Sequence, residues 1–208
     1  MKNTFSKGFT LVELLIVITI LAALAAAVVV VLNPAELLAQ ARDAQRMSDM
    51  TTMRDSINLL ISQVPAISLC LPLAAGCTGV CMVGTTGPFT PAACTTATSR
   101  AVDGNGWVSA NFTLMPGGSP IAVLPVDPVN NATFFYAFKA DATARTFRLA
   151  TRLESTRHRG AMAFDGGIRS CTCNAAACTP ANITAMTAVE ATAAACFYEV
   201  GTNMATTF

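Results

Sequence analysis

Glu13 is the one ionisable side chain between Phe9 and Leu32, a run that is otherwise almost wholly apolar. A carboxylate at membrane depth costs roughly 2.5 to 3.5 kcal/mol on insertion scales, so a partner is required. The run contains no Lys, Arg or His, so its own helix cannot neutralise the charge. The partner is then a group on another chain, or a proton; the bland alternative is a carboxyl that snorkels to the nearby interface. A cut after Gly8 would give Phe9 an α-amino group with a pKa of about 7.7 to 8.0, cationic at neutral pH. Such an amine could pair with Glu13 of a neighbouring copy, setting the stagger between identical helices more than it stabilises them.

The second chemical set is the cysteines: Cys70, Cys77, Cys81, Cys94, Cys171, Cys173, Cys178 and Cys196, all after the apolar run. An even number beyond a membrane segment argues for disulfides, one group of four stapling the loop after the second helix and the other the C-terminal region. Zinc is the weaker reading, because paired CxxC spacing is missing and His158 is the sole histidine. His158 between Arg157 and Arg159 reads as solvated, and no nucleophile motif, metal quartet or phosphate loop points to an enzyme. Asp103, Asn105 and Asp127 lack the clustered oxygens of a calcium loop, so they read as turn formers, as does Asp165-Gly166-Gly167. No metal or cofactor is expected. Arg145, Arg148, Arg152, Arg157, Arg159 and Arg169 read as a solvated strand face, with a stripe for DNA or another polyanion as the alternative. Sequons at Asn111, Asn131 and Asn182 carry no weight in a Thr-rich chain.

These groups must be positioned by a chain of 208 residues with 53% hydrophobic and 12% charged side chains and a formal charge of +1. That allows one ordinary domain plus an extra element, and disfavours disorder or a dedicated nucleic-acid-binding surface. Residues 1–8 are polar and carry Lys2 and Lys7. The apolar run that follows makes a helix of roughly 36 Å, enough to span a bilayer with its N-terminus in the cytoplasm. A cleaved secretory signal is opposed by Glu13 and by the continuation of the run through Val28 to Leu32.

Lys7-Gly8-Phe9-Thr10-Leu11-Val12-Glu13, followed by an unbroken apolar helix, closely resembles the type III signal of type IV pilins and type II secretion pseudopilins. The resemblance covers about the first 30 residues. It implies cleavage between Gly8 and Phe9 by the membrane prepilin peptidase, N-methylation of Phe9, and pairing of Glu13 with a neighbour's amine during assembly.

Asn33-Pro34 predicts a break after which a helix restarts. From Ala35 to about Ser62, Leu37, Ala41, Ala44, Met47, Met50, Met53, Ile57, Leu60 and Ile61 predict a buried face, with Glu36, Arg42, Asp43, Arg46, Asp49, Arg54 and Asp55 opposite. After Pro65 the chain is rich in Pro, Gly, Thr and Cys, a loop held by cross-links. Trp107 to Leu114, Thr133 to Lys139 and Arg145 to Leu153 read as strands, the last two joined by a hairpin-sized connection.

The predicted fold is α+β: a long N-terminal helix, transmembrane then amphipathic, packed on a small antiparallel sheet with disulfide-stapled loops. Residues 1–8 are a leader, 9–32 a transmembrane and polymerisation helix, 33–64 an amphipathic helix, and 65–208 an extracytoplasmic head. The expectation is a structural prepilin subunit that leaves the cytoplasmic membrane for a filament at the cell surface. Its partners are copies of itself, the prepilin peptidase, a pilus or secretion assembly platform, and the membrane. A type II secretion pseudopilin, and a singly anchored module for DNA or a surface ligand, are the alternatives.

Overall fold

Thr10 and Asn33 delimit the first helix, α1 (Leu11–Leu32). The computed structural model describes residues 9–70, 79–83, 94–141, 145–158 and 197–202. Two compact units divide the chain, Met1–Leu38 and Ala39–Phe208.

In the first unit, α1 contains no Gly or Pro, and its 22 residues give a length of about 33 Å. Asn33 ends it in the left-handed conformation (φ 40), which a short amide side chain tolerates. The same residue starts the second helix, α2 (Pro34–Gln63): its carbonyl accepts from Glu36 N and Leu37 N at 3.0 and 3.3 Å, and Pro34 takes the first helical position. The expected break therefore falls on the Asn-Pro pair.

In the second unit, α2 buries Ala39, Asp43, Arg46, Met50, Met53, Ile57 and Leu60, with steps of four and three residues. The C-terminal half of this stripe follows the sequence expectation. The N-terminal half does not: Ala41 and Ala44 face solvent, and Asp43 and Arg46, expected outside, are fully buried.

Five strands form one sheet in the order β2-β1-β3-β4-β5: β1 (Gly79–Cys81), β2 (Cys94–Thr96), β3 (Ala137–Ala140), β4 (Phe147–Thr151) and β5 (Tyr198–Gly201). Pairing is antiparallel from β1 through β5, as expected, while β2 adds to the edge of β1 in parallel, making the sheet mixed. Parallel neighbours need a crossover of a dozen or so residues, which the stretch between Cys81 and Cys94 supplies. Phe138, Leu149 and Val200 stand in cross-strand register and join Met50, Met53, Ile57 and Leu60 in the core. The other face carries Lys139, Arg148 and Glu199, also buried.

Trp107 to Leu114 is not a strand. Trp107, Val108, Ser109, Ala110 and Phe112 are all buried, so no side alternates toward solvent, and the backbone bonds to loops: Trp107 N to Ser99 O and Phe112 N to Val102 O. A 3₁₀ turn at Phe112–Leu114 ends the segment. Trp107 fixes it to the next loop by donating from Nε1 to Pro125 O at 2.9 Å. Gly106 is required beside it, since a Cβ there would collide with Ala101 O and Leu124 Cδ1.

Cys81 and Cys94 form a disulfide across the parallel pair, with Cα atoms 5.6 Å apart, and Cys70 is disulfide-bonded as well. Cys77, Cys171, Cys173, Cys178 and Cys196 lie outside the described residues, as does Asp165-Gly166-Gly167. By loop-closure entropy, Cys81→Ser/Cys94→Ser in the detergent-solubilised chain is expected to lose about 3 kcal/mol, read as a lower urea midpoint with an equal or steeper slope, since the uncrosslinked unfolded chain is less compact.

Candidate functional site

The candidate site at the start of α1 comprises Phe9, Thr10 and Glu13. Thr10 is extended (φ −82, ψ 150) and caps α1. Its N–H and its hydroxyl both donate to Glu13 Oε2, each at 2.8 Å, and Glu13 N–H donates back to Thr10 Oγ1 at 3.2 Å. This is a capping box, which satisfies helix-end amides that hydrocarbon would leave unpaired. Glu13 thus has donors within its own chain, contrary to the expectation that a partner must come from elsewhere, although its charge is not neutralised by them. The sequence signal was the Thr-x-x-Glu spacing. Phe9 precedes the helix and is 87% exposed. Gly8 lies outside the described residues.

Behind this end, Leu11–Val28 is long and apolar enough to cross a membrane, and none of that stretch is buried within the chain. Leu11, Leu14, Ile18, Leu21 and Leu24 are more than half exposed, so this surface requires lipid or other helices to cover it.

Residues 4–29 match the prokaryotic N-terminal methylation motif. This is the prepilin signal of type IV pilins and pseudopilins. The match supports a type IV pilin-like or pseudopilin subunit, and such families are structural rather than enzymatic. It implies processing by a prepilin peptidase and assembly into pilus-type polymers, and with α1 it fits membrane anchoring before assembly. No curated protein and no solved structure matches the chain.

The remaining candidates are in the head, where a buried ionic cluster absorbs several of them. Arg46 forks onto Asp127, with Nε to Oδ2 at 2.7 Å and Nη2 to Oδ1 at 3.0 Å. Its Nη1 donates to Asp43 Oδ1 at 2.8 Å, and its guanidinium lies 4.8 Å from the centroid of Phe134. Burial alone would lower the Arg46 pKa, but Asp127 and Asp43 reverse this and hold the cation more firmly protonated. Asp43 also accepts from the backbone N–H groups of Glu154 and Ser155 at 2.9 and 2.6 Å. Arg42 forks onto Glu154 at 2.8 and 2.6 Å.

Asp127, weighed for calcium, has its carboxylate taken by Arg46 and by the N–H groups of Val129 and Asn130. Asp103 is occupied with Asn105 as a turn. Among the described residues no three His, Cys, Asp or Glu side chains are grouped to hold a metal.

His158 is not simply solvated: Nδ1 lies 3.2 Å from Ser155 Oγ and 3.9 Å from Asp43 Oδ2. Both neighbours approach the same ring nitrogen, so the trio cannot relay a proton from Ser to Asp as a hydrolase does.

The basic strand face is corrected in part: Arg145 and Arg157 are exposed, as expected of a solvated face, but Arg148 and Arg152 between them are not. Arg148 is buried with Nη1 3.4 Å from Glu199 Oε1, and Arg152 stacks 4.9 Å over Phe197, so neither offers a free cation to a polyanion. Arg159 and Arg169 lie outside the described residues.

Arg46→Ala leaves Asp43 and Asp127 buried without their cation and is expected to cost about 3 to 5 kcal/mol in urea unfolding. Arg46→Lys keeps the charge, loses the fork, and is expected to fall between.

The Arg42 fork holds the Glu154 carboxyl below the ordinary glutamate range; burial opposes this, and Arg46 adds to it. A depressed carboxylate contributes stability above its unfolded pKa that is lost as pH falls through the lower folded value. The gap in urea midpoint between the native chain and Glu154→Gln is therefore expected to be widest above about pH 5 and to close toward about pH 3.

Proposed function

We propose that this chain is a structural prepilin that polymerises through its N-terminal helix into a type IV pilus-like filament. The observation that carries the reading is the methylation motif at residues 4–29 on a helix whose apolar surface has no cover in its own unit. Residues 1–8 act as the leader, 9–32 as the transmembrane and polymerisation helix, 33–64 as the amphipathic helix, and 65–208 as the extracytoplasmic head. The peptidase cuts between Gly8 and Phe9, and the new Phe9 amine is methylated. Loss of Lys2 and Lys7 removes the cationic flank that fixes the precursor in the membrane.

The mature amine and the Glu13 carboxylate then carry opposite charge at the cytoplasmic end of a bundle of identical helices. Pairing between one copy's Glu13 and the next copy's Phe9 sets the axial stagger, while burial of the α1 surfaces drives association once an assembly platform brings the copies together. The subunit resides in the cytoplasmic membrane before assembly and on the cell surface afterwards. The same chemistry operates in a long pilus and in the shorter filament of a secretion machine.

The test is the intact mass and N-terminal peptide of protein recovered from membranes and from sheared surface material. A chain beginning at N-methylated Phe9 in both fractions is the expected result. A chain that keeps Met1, or begins at Ala26 as a secretory signal would leave it, overturns the reading.

A further inference from the structure

We infer that Thr10 is a positioning residue for leader removal: its capping box with Glu13 fixes where α1 begins and so holds the peptide bond before Phe9 outside the helix. The inference rests on the processing reading above.

A peptidase needs an accessible, unwound chain around the bond it cuts, whereas helical carbonyls are engaged in the hydrogen-bond ladder. Where the helix starts is thus a condition for cleavage. The sequence upstream offers competing starts, because Thr4 and Ser6 are both capping residue types. Three residues after Ser6 stands Phe9, and three after Thr4 stands Lys7, neither of which can reach back to complete a box. Three after Thr10 stands Glu13, and both halves of the box are formed, with the three hydrogen bonds between 2.8 and 3.2 Å. The first backbone bond of the helix accordingly runs from Leu14 N to Thr10 O, and Thr10 itself is extended. Phe9 is left exposed ahead of it.

Glu13 therefore has two separable parts to play. Its side-chain oxygen completes the cap, a place the amide oxygen of a glutamine can also take with weaker hydrogen bonds. Its charge serves assembly, which a glutamine cannot. The Thr10 hydroxyl serves only the cap, and serine replaces it whereas the isosteric valine does not.

The experiment follows leader release from the full-length chain in membrane vesicles containing a bacterial prepilin peptidase. Thr10→Ser is expected to be cut at the native rate and Thr10→Val roughly fivefold more slowly, the factor that about 1 kcal/mol of cap represents. Amide exchange at Glu13 is expected to quicken in Thr10→Val alone. Native-rate cleavage of Thr10→Val overturns the inference, as does slow cleavage of Thr10→Ser. Slow cleavage of Thr10→Val without faster exchange at Glu13 also overturns it, because the hydroxyl would then act on the peptidase and not on the helix start. Failure of the native chain to be cut after Gly8 is a different result and removes the processing reading itself.

Discussion

One guanidinium ties the head together. Arg46 reaches from α2 to Asp127, which precedes β3, while its neighbour Asp43 takes the backbone N–H groups of Glu154 and Ser155, which follow β4. The two segments that bracket the β3-β4 hairpin are therefore gripped by adjacent turns of one helix. The apolar register Phe138 to Leu149 lies between those grips and shares the core with Met50, Met53 and Ile57. Desolvating these charges is costly, and the geometry offsets the cost by filling the available donors and acceptors: a bidentate fork, two backbone amides and an aromatic face.

The chain's other charged site solves a related problem with fewer atoms. Glu13 stands in an apolar stretch where no cation is available, and the hydrogen bonds it forms use the Thr10 amide and hydroxyl. Those donors both engage Oε2 of the carboxylate while leaving its charge in place. The capped carboxylate can thus sit at a helix end in a single chain and still attract a cation from a second one. The rest of α1 has no such local solution, because its exposed leucines, isoleucines and valines are too numerous to leave in water.

Sequence periodicity revealed the two helices, the Asn-Pro break, the β3-β4 hairpin and the α+β class, because each rests on local spacing or backbone chemistry. It failed where tertiary contacts overrode local character. Arg148 alternates with apolar neighbours as an exposed strand residue should, yet the sheet is buried on both faces and the side chain meets Glu199. Trp107 to Phe112 has the composition of a strand, but its backbone bonds to the loop carbonyls of Ser99 and Val102 and not to a neighbouring strand of the sheet, which leaves a loop with side-chain anchors. The parallel edge strand β2 was invisible because three residues of Cys and Thr carry no period. At the candidate site the leader junction and Glu13 are legible as a motif; the cap is not, because the apolar run already begins at Phe9 and its hydropathy does not mark Thr10 as the residue where the helix starts.

The misplacement of Asp43 and Arg46 has a physical cause that also explains their presence. Counting back from Leu60 by threes and fours gives Ile57, Met53, Met50, Arg46, Asp43 and Ala39, a stripe that repeats every seven residues. An apolar stripe of that regularity packs almost equally well after a slide of one heptad, since Met50 and Met53 would occupy the places of Asp43 and Arg46. With the charges in the stripe, the same slide carries Arg46 and Asp43 one heptad away from their partners and leaves Asp127 and the Glu154 and Ser155 amides unpaired. Unpaired buried charges cost several kcal/mol, far more than the small differences between alternative methionine packings. The apolar residues thus supply the burial that holds the hairpin on the helix, and the two charges decide where along the helix it sits.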